Sequence, residues 1–586
     1  MKFLVLFVAL FLAACAHNSN ENLSGENKKF NELLTRHWDE NMERYPEWST
    51  WVNYKGGIYN DRWSEVSLEA VEKSKAFTLK QFEDLKQIDG SKLSGKWKHY
   101  YDLYFADKKQ DIEGFKFPGH FLVMNQLGGF QQSIANLLSR MPTRTKKDYE
   151  NILARLEKAP AQIEGNLLFL KEGLKRGITP PKVTLSDVPR QFDAMIVKDF
   201  KKNPLVKAFQ KYPKDFNESL KKDYTARAKK YLAQVIPYFE RAKKYVQEQY
   251  IPNCRKEIAF STMPNGKAWY NYSIKSYTTL DKSADEIHEL GLREVERIKK
   301  EMQKVISQVK YKGSFKKFLK YLRTDRRFFY KKKEDLLKDY RAISKIADGR
   351  LLRVFKKLPQ TPYGVEPTPA YMEKSAPTAY YYRGNIEAGK PGIFYANTYD
   401  LKSRPKWEMV PLTLHEAMPG HHLQIMIAVE QEAKPELLKF GGYTGYIEGW
   451  GLYAESLGEE MEMYEDPYDK FGQLTYEMWR AIRLVVDTGM HAKGWSREKA
   501  IQFFLDHAPK TKHDVVVEVD RYIIWPGQAL SYKLGELKIK ELRNFAKAKL
   551  GEKFDIREYH YQVLKDGAVP LGLLDSNIKN WVNSQL

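Results

Sequence analysis

His415-Glu416-Ala417-Met418-Pro419-Gly420-His421-His422 gathers three of the chain's 12 histidines and one glutamate into eight residues. Neutral imidazole nitrogens at that density suit a divalent cation, and zinc is the ion their chemistry fits first. The run sits between Trp407 to Leu414, whose Pro411 suits a first helical turn, and the apolar stretch Leu423 to Val429. A polar cluster on such a helix is buried, and buried imidazoles and carboxylates need partners.

In the His-Glu-x-x-His pattern of metal hydrolases, a spacing of four turns both imidazoles to one helix face and the glutamate acts as general base. Here position 419 is proline, and the second histidine comes six (His421) or seven (His422) residues after the first. On a regular helix His421 points roughly 120° away from His415, while His422 shares its face about 10 Å further along. Neither arrangement shares an ion whose bonds to nitrogen are about 2.1 Å long. Pro419 removes a helical amide and Gly420 frees the backbone, so the turn is expected to widen or kink. A break that adds two residues to the usual four carries His421 into the place of the second ligand, with His422 as the alternative.

Three motifs, His-Glu-x-x-Pro-Gly-His, Glu448-Gly-Trp-Gly-Leu-Tyr-Ala-Glu455 and Pro526-Gly-Gln-Ala-Leu-Ser-Tyr-Lys-Leu-Gly535, together resemble the bacterial family known as domain of unknown function 885. They lie in about the last third of the chain, and the first half matches only loosely. That family is similar to a distant branch of the zinc metallopeptidases whose third ligand is a downstream glutamate. The resemblance implies a mostly α, helical metallopeptidase-like fold with an active-site channel. It implies one zinc ion held by His415, His421 and Glu448, with His422 behind the ligands or at the substrate. Glu455, seven residues beyond Glu448, suits a place behind the ligands, and Gly449 and Gly451 let two helices approach closely. Tyr532, or Tyr522 in its stead, is implied as hydrogen-bond donor to the developing oxyanion.

The elements that must position these residues begin with a leader. An apolar run from Phe3 to Leu12 followed by Leu12-Ala13-Ala14-Cys15 reads as a lipoprotein signal peptide, 1–14, with Cys15 the lipidated first residue. The other reading is an ordinary cleaved signal with an accidental cysteine. Ala16, in place of the aspartate that retains such proteins in the inner membrane, points to the outer membrane facing the periplasm. Residues 15–29 are polar, as in a tether, and the folded body is expected from Phe30. Cys254 is the only other cysteine, so no disulfide within one mature chain is expected. Lacking internal linkers or repeats, the body reads as one helical unit of two lobes, 30–280 and a catalytic lobe 281–586.

The chain has 97 Lys+Arg against 75 Asp+Glu, a net charge of +22. Export makes nucleic acid an unsuitable partner. Stretches such as Lys331 to Lys338 alternate basic and apolar residues at helical spacing, as solvated helix faces do, with envelope anions as the alternative. Asp148 to Ala159 and Gln162 to Lys175 are expected as helices either side of Pro160, and Asn217 to Gln249 as a third. Ser283-Ala-Asp-Glu286 is a capping box opening a helix to about Gln308. His37, His99, His120 and His288 read as packed or surface histidines. Gly392 to Thr398 reads as a short β element beside the metal helix. In the metallopeptidases it resembles, an edge strand there pairs with substrate, which makes Tyr395 and Asn397 candidate contacts. Arg480, Arg483, Asp487 and His491, at helical spacing, read as ties between helices, with orientation of the metal ligands from behind as the alternative.

The expected function is a zinc-dependent peptidase of the bacterial cell envelope, with Glu416 as general base toward a metal-activated water. A non-catalytic envelope lipoprotein with a structural metal and a cell-wall peptide amidase are the alternatives. No Gly-x-Ser-x-Gly competes, Cys254 lacks a catalytic context, and no sequence feature specifies an oligomer.

Overall fold

The computed structural model describes residues 25–369, 373, 376–384, 389–431, 434–439 and 441–586. Cys15 and the leader lie outside the described residues. The structure is 69% helical, and among the described residues the sheets have only two and three strands, so the fold is mostly α. No described helix is long and apolar enough to cross a membrane.

Helix α1 (Gly25–Arg44) starts ahead of the expected Phe30. A hairpin of β1 (Met124–Asn125) and β2 (Gly128–Gly129) precedes α2 (Lys146–Lys175). This helix continues unbroken past Pro160, where the sequence predicts two helices. The missing amide costs one hydrogen bond. Ile152, Leu153, Leu156, Ala159, Ile163, Leu167 and Leu170 are buried along its length and offset that loss. Asn217 caps α3 (Glu218–Tyr245) by accepting from the Leu220 amide at 2.9 Å. The capping box is present: Ser283 Oγ accepts from the Glu286 amide and Glu286 accepts from the Ser283 amide, opening α4 (Ala284–Gln308).

Strands β3 (Tyr363–Pro367), β4 (Ala379–Tyr382) and β5 (Gly392–Ala396) form a sheet in the order β3-β5-β4. β5 pairs parallel with β3 and antiparallel with β4, with Phe394 opposite both Val365 and Tyr381. The short strand is where it was expected, but it is central. Both of its hydrogen-bonding edges are taken, so it has none to offer an extended peptide.

After the sheet come α5 (Met409–Glu416), α6 (His421–Val429), α7 (Thr444–Ser456), α8 (Pro467–Ala492), α9 (Lys512–Ile524) and α10 (Ser531–Leu550). Every residue of α5 is buried, as expected for a helix apolar on all sides. Its Val410 and Leu414 join a core that unites Phe30, Leu34, Trp97 and Tyr100 with Leu423, Trp450 and Leu542, and so bridges the two proposed lobes. Its Met409 and Leu412 join a second core with Phe394, Ile482, Val485 and Val519. A third core lies entirely between Met124 and Cys254. The site-bearing helix is therefore wedged between two cores, which holds its position from both sides.

Candidate metal centre

At Pro419-Gly420 the helix kinks into two, and a widened turn spans the break, the His422 amide donating to the Ala417 carbonyl at 3.2 Å. Ala417 leaves helical geometry at ψ −120° and Gly420 at ψ −125°. The chain doubles back so tightly that a side chain on Gly420 would lie 1.9 Å from the His415 carbonyl oxygen. Trp450 Nε1 donates to the Pro419 carbonyl at 2.9 Å and pins the break.

The break makes His421 the first residue of α6 and brings its ring 4.7 Å from that of His415, nearly perpendicular to it. Glu448 enters from α7. Its Oε2 lies 3.7 Å from His415 Nε2 and 3.6 Å from His421 Nε2, and the three ligand atoms all fall within 4.8 Å of one another. A tetrahedral zinc with bonds of about 2.1 Å sets its ligand atoms roughly 3.4 Å apart, so the donor set fits one ion. Among the described residues this is the one such group of three.

The motif glycines provide the room. A Cβ on Gly451 would lie 2.8 Å from Cε1 of His415. One on Gly535 would lie 1.8 Å from the Gly445 carbonyl, and one on Gly449 2.5 Å from the Gly535 Cα, so α7 and α10 meet backbone to backbone. Glu448 precedes Gly449 in this contact, and Tyr532 lies three residues before Gly535 on the facing helix.

Behind the ligands, His415 Nδ1 donates to Glu455 Oε1 at 2.7 Å, which leaves Nε2 facing Glu448. Glu455 is fully buried, and Arg480 Nη2 lies 3.6 Å from the same oxygen. His421 Nδ1 meets the Gln424 amide at 2.8 Å, and that amide also donates to the Ile447 carbonyl. Gln424 is a site residue that no motif marks, and only its i, i+3 spacing from His421 signals it in the sequence.

Burial alone would lower His415, but Glu448 and Glu455 more than offset it and hold it up at about 10. Burial would raise Glu448, yet His415, His421 and Arg521 bring it down to about 2. The pocket thus demands positive charge between its carboxylates, which a proton on His415 or a metal ion supplies. Burial, with His415 adding to it, lowers His421 to about 4, keeping that imidazole neutral as a ligand must be. Glu416 ends α5, and burial pushes it up to about 7.

Tyr532 is buried, its hydroxyl 3.3 Å from Arg521 Nη2 and its ring 4.4 Å from the Arg483 guanidinium. The Tyr522 hydroxyl accepts from Trp479 Nε1 and Arg483 Nε and donates to Glu518, so it has no hydrogen left for a substrate and the alternate role expected for it falls away. His422 turns away from the cluster. Its Nδ1 accepts from the Tyr381 hydroxyl at 2.9 Å and its Nε2 donates to the Thr361 carbonyl at 3.0 Å, tying α6 to the sheet. Asn397 is also committed within the chain, donating to the carbonyls of Glu373, Ala376 and Pro377 and accepting from the Tyr399 amide. It braces a loop and has no polar atom left over for a substrate. Tyr395 stacks on Tyr380 at 4.9 Å. Most of the ladder on α8 ties helices: Arg483 holds Glu518, Asp487 accepts from Tyr270, and His491 accepts from the Phe260 amide, while Arg480 lies against Glu455 behind His415. His37 and His288 are packed, against Tyr104 and Thr488.

The model of a family described as "Bacterial protein of unknown function (DUF885)" matches residues 46–578. The crystal structure of "the putative lipoprotein from Colwellia psychrerythraea" is 29% identical, with a TM-score of 0.89 over 96% of this chain and 100% of that one. A "putative lipoprotein of unknown function from Shewanella oneidensis" is 17% identical, with a TM-score of 0.71 over 94% and 99%, a likeness of fold alone. No curated protein matches the chain.

Proposed function

The chain belongs to the DUF885 family of bacterial proteins, and from that premise and its donor cluster we propose that it is a zinc-dependent peptidase, lipid-anchored in the cell envelope. The observation that carries the reading is the convergence of His415, His421 and Glu448 within 4.8 Å. Glu416 stands beside the first ligand at the end of α5, where burial pushes its carboxyl up to about 7. A zinc ion held there would supply a Lewis acid and bring the pKa of its water to about 7. Glu416 takes a proton from the attacking water and returns it to the leaving amine. Tyr532 donates a hydrogen bond to the developing oxyanion. Glu455 accepts from His415 Nδ1 and so keeps Nε2 free of a proton, as the nitrogen that would hold a zinc ion must be.

Three ligands from the chain, with both nitrogens of His422 bound elsewhere, favour a site with an open position over a closed structural one. The similarity to a protein described as a lipoprotein supports lipidation at Cys15, which mass spectrometry of the mature amino terminus tests. The function is tested by digesting a mixed peptide library, with cell-wall peptides in parallel, using the zinc-loaded protein and its Glu416→Gln variant. Wild type should cleave the library, and the variant should keep its zinc and lose at least about 100-fold in rate. A wild type that cleaves only cell-wall amides, or nothing, overturns the peptidase reading.

A further inference from the structure

Three arginines surround Tyr532. The guanidiniums of Arg483 and Arg480 lie 4.4 and 5.7 Å from its ring centre, and Arg521 donates to its hydroxyl at 3.3 Å. Their carboxylates are fewer. Glu518 is engaged by Arg483 Nη2 at 3.1 Å and by the Tyr522 hydroxyl at 2.8 Å. Glu455 is shared between His415 and Arg480. Arg521 has no carboxylate at hydrogen-bond distance. Its Nη1 lies 3.7 Å from Glu518 Oε1, its Nη2 donates to Gln528 Oε1 at 2.9 Å and to Tyr532, and its buried Nε has no partner among the described residues. Glu518 is thus the one carboxylate within reach of Arg521 among the described residues, and Arg483 and Tyr522 already hold it. A mostly buried guanidinium whose nearby carboxylate is shared with another arginine can take a second anion, and its planar fork matches a carboxylate.

Arg521 is also the one of the three that reaches open space. Its side chain is 20% exposed, against 7% for Arg480 and 4% for Arg483. Trp525 stands beside it, 41% exposed, with the guanidinium 5.7 Å from the indole centre. The same guanidinium touches the tyrosine assigned to the oxyanion, so an anion held by Arg521 lies close to the scissile carbonyl.

We propose that Arg521 receives the free carboxyl terminus of a peptide substrate, and that the enzyme removes residues from the carboxyl-terminal end. This rests on the peptidase reading and supplies its substrate class. Arg521 acts here as a specificity residue.

The test uses the zinc-loaded Glu416→Gln protein, which is expected to bind peptide without turning it over. Affinities for N-acetyl-pentaalanine as the free acid and as the carboxyl-terminal amide are measured by calorimetry. The acid should bind about tenfold or more tightly than the amide, and the added change Arg521→Ala should abolish the difference while leaving amide affinity within about twofold. Arg521→Lys, which keeps the charge but loses the fork, should show an intermediate ratio. Equal affinities for acid and amide, binding of neither, or a preference unchanged by Arg521→Ala overturns the proposal. A purely structural role for Arg521 predicts equal loss for both peptides, which also overturns it. Acid-selective binding by a protein whose wild type cleaves nothing would sink the peptidase reading and leave the carboxylate site standing.

Discussion

Glu455 shows how a side chain that touches no metal can govern one. It holds His415 Nδ1 at 2.7 Å, and Glu455→Gln weakens that grip. Zinc affinity, measured by competition with a chelator, should fall about 10- to 100-fold, and an unchanged affinity would mean that His415 is oriented by packing alone. At this scale much was legible, because His415, Glu416, His421 and Glu448 announce themselves by residue type, local spacing and motif. What stayed hidden was fixed by distant partners. Nothing near His422 shows that Thr361 and Tyr381 occupy both its nitrogens. Nothing near Arg521 shows that Arg483, from another helix, engages the carboxylate one turn before it.

Between elements, geometry is decided by close approaches that only glycine permits. At Gly420 the β carbon of an alanine would lie 1.9 Å from the His415 carbonyl oxygen, so Gly420→Ala should force the break open and cost both zinc and about 1–3 kcal/mol or more of stability. Gly535→Ala should separate α7 from α10 at a similar cost, since its Cβ would lie 1.8 Å from the Gly445 carbonyl. Thermal unfolding and metal content of both variants check this, and wild-type values in either would show that the backbone yields more easily than the contacts suggest. Sequence pattern found the helices and the capping box at Ser283, whose signals lie within a few residues. It missed the continuity of α2 through Pro160, where burial along the helix outweighs one lost hydrogen bond. It also missed the central place of β5, whose partners Tyr363–Pro367 and Ala379–Tyr382 are joined to it only through a proline-rich passage that carries no pairing signal.

Across the whole molecule, α5 sits between two cores, and the ionisable groups buried around it make stability depend on pH. Asp487 on α8 faces the Tyr270 hydroxyl and the Gly527 amide. Burial pushes its carboxyl up to about 7, against the hydrogen bonds that favour its charged form. The folded state therefore keeps this proton between pH 3.8 and about 7, where the unfolded chain has released it, and the stability owed to Asp487 falls as pH rises through that window. Asp487→Asn removes the slope, so its melting temperature relative to wild type should climb from about pH 5 to about pH 8, and a constant difference would contradict the burial argument. The most direct test of the whole account is elemental analysis of bound zinc in three purified proteins. Wild type and His422→Ala should each hold about one ion per chain and His421→Ala less than about a tenth of one, because the Pro419-Gly420 break hands the ligand position to His421. Zinc retained by His421→Ala and lost from His422→Ala, or no metal in the wild type, would contradict it.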